Sequence, residues 1–152
     1  MTTAKSSVDV KTYVTAAYNQ WTQFEDFPKF MDGVEEVTQV GDRHLHWKVK
    51  IAGVEREFDA TITEQVPDTR IAWKADGETK HAGVVDFHKL DMEHTRVDLQ
   101  LDMEPEGLVE TVGDKLGVVE RKVKKDLERF KELVESQPHP TGAWRGEVPR
   151  EG

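Results

Sequence analysis

From residue 34 to residue 103 the chain repeats with a period of two, and beyond residue 105 the period becomes three and four. Leu45, Trp47, Val49 and Ile51 alternate with His44, His46, Lys48 and Lys50, so one extended segment has an apolar face and a wet one. That pattern predicts an antiparallel sheet covered on one side only. Ala52-Gly53 reads as a turn, after which Val54, Phe58, Ala60 and Ile62 resume the apolar face until Pro67-Asp68 ends the strand. Ile71, Trp73 and Ala75 form the next strand, closed by Asp76-Gly77. Gly83, Val85 and Phe87 form another, and Thr95, Val97, Leu99, Leu101 and Met103 the last. With a strand beginning at Val34 ahead of these five, the whole stretch reads as a meander of six strands.

What flanks the meander differs in kind. Pro105 and Glu106 open a helix in which Leu108, Val112, Leu116, Val119, Val123, Leu127, Phe130 and Val134 recur at three or four. Over 106–135, about 30 residues, its length is about 45 Å, enough to cross a domain. Gly113 and Gly117 in its first half each cost about 1 kcal/mol in helix propensity, so close packing on a sheet, or room above a cavity, is expected there. Ahead of the meander, Val8, Val10 and Thr12 alternate as a first strand. Thr15 then caps a short helix through Phe24, and Asp26 caps a second, ended by Asp32-Gly33. The closing residues, "SQPHPTGAWRGEVPREG", have no period, which predicts one domain over 1–136 and a flexible tail over 137–152.

Composition narrows the function. With 21 basic against 30 acidic residues and a net charge of −9, the field of the protein repels a phosphate backbone, and no nucleic-acid partner is expected. No cysteine is present, so disulfides, thiolate metal sites and thiol catalysis are excluded together. No run approaches the ~20 apolar residues of a transmembrane helix, and "MTTAKSSVDV" lacks a signal-peptide core. The expected location is cytoplasmic, and the oligomeric state is left open.

The segments "YNQWTQFEDFPKFMDGVEEV", "LHWKV", "EREFDATITEQVPDTRIAW" and "TGAWRGEV" resemble the bacterial polyketide cyclase/dehydrase branch of the START-like (SRPBCC, helix-grip) superfamily. That superfamily also includes lipid-transfer START domains, coenzyme Q-binding proteins and pollen-allergen-like proteins. The resemblance implies an α+β helix-grip fold, a curved antiparallel sheet of about seven strands around a long C-terminal helix, with two short helices after strand 1. It further implies a hydrophobic or aromatic small molecule held between sheet and helix. Two alternatives stand beside it, an aromatic polyketide cyclase/dehydratase-type enzyme and a partner-binding protein with a filled core.

Individual residues sharpen these expectations. Phe27 and Phe30 belong to an aromatic knot with Trp21 and Phe24, which reads either as a core plug or as a lid over a ligand. Trp47, Phe58, Trp73, Phe87 and Leu99 lie on the covered faces and are the expected cavity lining. Arg56 shares the parity of Phe58, and His81 that of Phe87; they are the catalytic candidates, a charge and an imidazole for acid-base work. His44 and His46 share a face with Lys48 and Lys50, without further ligands at a diagnostic spacing, so neither a metal nor a cofactor is expected. Serines occur only at 6, 7 and 136, which disfavours a serine nucleophile. The run "ERKVKKDLERFKELVE" reads as a solvated helix face with intrahelical ion pairs.

Overall fold

The computed structural model describes residues 2–31, 33–51, 54–77, 81–103 and 115–136. Its seven strands are β1 (Thr2–Val10), β2 (Val34–Gln39), β3 (His44–Ile51), β4 (Val54–Val66), β5 (Arg70–Ala75), β6 (His81–Lys89) and β7 (Thr95–Met103). They form one sheet in the order β1-β7-β6-β5-β4-β3-β2, with every neighbouring pair antiparallel. The meander therefore runs in sequence order, and β1 closes the far edge against β7. Helix α1 (Val14–Trp21) and a 3₁₀ helix (Phe24–Lys29) follow β1, and α2 (Lys115–Ser136) ends the described chain. This is the curled sheet with a C-terminal helix that the resemblance implied. No described helix is long and apolar enough to cross a membrane.

Alternation translates directly into burial. On β3, Leu45, Trp47 and Val49 are buried, while His44 and Lys50 are exposed. On α2 the buried residues are Val119, Val123, Leu127, Phe130 and Val134, a stripe with the spacing of one helical face, and this face packs against β1 and β7. Period two breaks where a bulge shifts the register, between Val34 and Glu36 on β2 and again on β4. The register between β4 and β5 shifts between Ile62 and Glu64, so Gln65 rather than Glu64 turns inward, opposite Ile71.

The helix ends differ from expectation. Helix α1 begins after Tyr13 without a side-chain cap, and the Thr15 hydroxyl instead donates to Asp68 Oδ2 at 3.1 Å. That carboxylate is presented by a turn in which Asp68 takes a φ of 61°, so a contact across the molecule takes Thr15 away from its expected role as cap. Helix α1 also stops at Trp21, not Phe24. Asp26 lies inside the 3₁₀ helix, where it accepts from Gln20 Nε2 at 3.0 Å. The first strand is longer than its alternation suggested, and Thr12 lies beyond it, its carbonyl taken by the Thr95 hydroxyl at 2.9 Å. The expected turn at Ala52-Gly53, the Pro105-Glu106 start of the long helix, Gly113 and the 137–152 tail with Trp144 lie outside the described residues.

Rings join these elements. Phe130 of α2 meets Trp21 at a centroid distance of 4.8 Å and Phe30 at 5.1 Å. Phe27 then touches Trp21 at 5.8 Å, Phe30 at 5.4 Å, Trp47 at 5.5 Å and Trp73 at 6.1 Å. It is 0% exposed. Emptying such a site costs about 3–5 kcal/mol. Phe27→Ala should therefore lower the unfolding free energy by about that amount in urea titration, and a loss below about 1 kcal/mol would mean that the ring sits outside the core.

Candidate ligand-binding site

Burial on the inner face of the sheet is not uniform. Near the β3–β4 hairpin, Trp47 on β3 lies directly opposite Phe58 on β4, their rings stacked at 5.8 Å with an interplanar angle of 11°. Trp73 on β5 continues the layer at 6.1 Å from Trp47. Trp47 and Trp73 are fully buried, but Phe58 keeps 9% of its surface exposed, and His81 at the start of β6 is only partly buried. His81 leans on Trp47 at 5.1 Å and on Phe58 at 5.2 Å.

Glycine sets the geometry of this corner. Gly83 faces Trp73 across the β5–β6 ladder, and a Cβ built on it would lie 2.2 Å from Trp73 Cζ2. The indole therefore lies on bare backbone, and its Nε1 donates to His81 Nε2 at 3.1 Å. Trp47 Nε1 is also buried and has no hydrogen-bond partner among the described residues. Burial pushes the His81 pKa down to about 3, with the positive charge of Lys122 on α2 adding to the shift. Lys122 in turn holds Asp126 at 2.5 Å, and Asp126 is only 2% exposed.

The expected site residues thus divide. Trp47, Phe58, Trp73 and His81 come together, with Phe27 behind them. Phe87 lies elsewhere, edge-on to Tyr18 at 5.5 Å and to Trp21 at 6.3 Å under α1. Phe30 belongs to the Phe130 contact, and Leu99 is buried in β7 opposite Val85. Arg56, although of inward parity, is exposed near the start of β4, opposite Val49. His46, on the outer face, lies between Asp59 Oδ1 at 2.8 Å and Glu57 Oε1 at 3.1 Å, and these hydrogen bonds raise its pKa.

Lys122 and Asp126 went unrecognised in the sequence, because the charged run of α2 reads as solvated throughout. A signal was present: Asp126 stands three residues after Val123 and four before Phe130, on the buried stripe. The buried Gln65, whose side-chain amide has no hydrogen-bond partner among the described residues, carried no such signal, because the bulge that turns it inward leaves no mark in the pattern.

A curled antiparallel sheet with a C-terminal helix packed on it defines a START-like protein of the helix-grip class. Residues 12–132 match the family "Polyketide cyclase / dehydrase and lipid transport", and the chain belongs to that family. It is 53% identical over 149 residues, 97% of this chain and 99% of the other, to an uncharacterized 17.2 kDa protein from the melC2-rnhH intergenic region of Streptomyces lincolnensis. Among solved structures it resembles the Zhui aromatase/cyclase from Streptomyces sp. R1128, with a TM-score of 0.69 and 16% identity over 93% of this chain and 98% of that one. It also resembles a START superfamily protein from Mycobacterium smegmatis, with a TM-score of 0.67 and 14% identity over 88% and 94% of the two chains.

A neutral His81 links the site to acid stability. The unfolded chain protonates this histidine near its ordinary value of 6.5, whereas the native protein keeps it neutral down to about 3. Between those values the unfolded state binds the extra proton, so stability falls as pH drops, by about 1.4 kcal/mol per unit at most. Going from about pH 7 to about pH 5, the wild type should lose about 2 kcal/mol more than His81→Phe in urea titrations. Equal losses would mean that His81 titrates normally in the folded protein.

Proposed function

We propose that this protein binds a hydrophobic or aromatic small molecule between the sheet and α2, at the corner formed by Trp47, Phe58, Trp73 and His81. One observation carries the reading: at this corner stacked rings surround a histidine that is only partly buried as a residue, and Phe58 beside it is 9% exposed, while Phe27, Phe30, Leu45 and Ile62, also facing inward, are buried to 1% exposure or less. Ligand sites are typically concave and apolar with a few placed polar groups, and this corner combines stacked rings with an imidazole and a nearby ammonium. Membership of a cyclase and lipid-transport family is consistent with a small-molecule ligand. The inward polar groups do not suit a nucleic acid, nor does a net charge of −9.

The likeness to the Zhui aromatase/cyclase supports a second reading, an enzyme that folds and dehydrates an aromatic precursor. Within this chain the support is narrower. His81 is held neutral and engaged at Nε2, and Arg56 is exposed. A general base needs a pKa near the working pH, and a histidine that stays neutral down to about 3 is a feeble one.

Tryptophan emission tests the binding reading, because Trp47 and Trp73 belong to the proposed wall. Titration with a flavonoid, a quinone or a fatty acid should change the emission saturably, and Trp47→Phe should remove most of the change. If no compound of such a panel alters the signal, the binding reading is wrong and the corner is simply core.

A further inference from the structure

The Trp73–His81 contact fixes more than a ring position. An indole N–H can only donate, so the His81 Nε2 that it meets at 3.1 Å must be the bare, accepting nitrogen. The imidazole proton is thereby confined to Nδ1. No hydrogen bond is formed by that nitrogen among the described residues, and the residue it belongs to is not wholly buried. Charged groups do not undo the arrangement. Lys122, the cation facing His81 from α2, opposes a second proton on the ring, and the buried Asp126 is already held by Lys122 at 2.5 Å and approached by Arg129 at 3.9 Å. Among the described residues, the sheet side of the imidazole is packed by the rings of Trp47, Phe58 and Trp73.

We propose that Trp73 locks His81 as an Nδ1–H donor, and that the ligand of this corner is a flat conjugated molecule whose carbonyl oxygen accepts that hydrogen bond. The proposal rests on the small-molecule reading above and narrows it. A purely hydrocarbon guest leaves the donor unsatisfied, and a buried donor without a partner costs more than a made bond gains. Selectivity therefore arises from the penalty on the wrong ligand. A guest that needs a proton removed is equally poorly served, because the one nitrogen able to take it is already occupied by Trp73.

Two measurements test the two halves. In long-range 15N–1H spectra of the full chain, assigned by loss of a signal in His81→Gln, His81 should show the Nδ1–H pattern and stay unprotonated from about pH 8 to about pH 5. Trp73→Phe should free Nε2 and move the spectrum toward the Nε2–H form. An Nε2–H or titrating His81 in the wild type would overturn the lock. For the ligand half, fluorene and 9-fluorenone share a flat tricyclic frame and differ by one carbonyl. Wild type should bind fluorenone about five- to ten-fold more tightly, and His81→Phe should bring the two within about two-fold by weakening fluorenone alone. Equal binding in the wild type would overturn the carbonyl preference while leaving small-molecule binding intact. If neither compound binds, the carbonyl proposal and the binding reading fall together, and the spectra still decide the tautomer.

Discussion

The structure depends on one unbroken run of ring contacts that ties the C-terminal helix to the middle of the sheet. Phe130 carries α2 onto Trp21 and Phe30, and Phe27 carries both onto Trp47 and Trp73. A helix laid over a curled sheet has no backbone hydrogen bonds to hold it there, so side-chain burial must do so. Each such ring contributes about 1.5–3 kcal/mol by removal from water, and each edge-on pair about 0.5–1.5 kcal/mol more. The helix pair between β1 and β2 is thus the joint through which α2 and the sheet are held at a fixed distance.

At the other end of this run the same economy of rings produces polarity. Trp73 needs a glycine opposite, because any Cβ at residue 83 would enter its six-membered ring. Once seated there, the indole presents its N–H to His81, and the histidine is drawn into the layer instead of turning outward. Packing therefore settles a protonation state. Trp73, His81 and Gly83 together set the position of the imidazole, and among the described residues no carboxylate hydrogen-bonds to it.

Much of this was legible in the sequence because it rests on periodicity. The six-strand meander, its order and the buried stripe of α2 follow from residue spacing, which reports which side of an element is dry. The aromatic knot at Trp21, Phe24, Phe27 and Phe30 could be located but not interpreted, since a plug and a lid share one composition. The pattern failed where long-range contacts decide. Thr15 gives its hydroxyl to Asp68, 53 residues away, and the bulge between Ile62 and Glu64 reverses the inward parity of β4. Arg56 and Phe58 have equal parity, yet only Phe58 is covered, because parity states a direction and not whether anything lies above it.

Energetics also choose the route by which a guest reaches the proposed corner. Opening the fold at the 3₁₀ helix would return Phe27 and Phe30 to water, and both are now essentially unexposed. Two buried phenylalanines cost about 3–6 kcal/mol by area alone, which leaves such an opening populated at roughly one part in a hundred to one in twenty thousand. At the other end His81 is only partly buried and Phe58 is 9% exposed, so less apolar surface would have to be uncovered there. Association through the His81 end avoids that conformational penalty, whereas a route through the helix pair would reduce the apparent affinity by the fraction open. On the proposed reading, the knot at Trp21 would be the fixed floor of the site and a guest would enter from the His81 end, where the Trp73 N–H already occupies Nε2 of the imidazole.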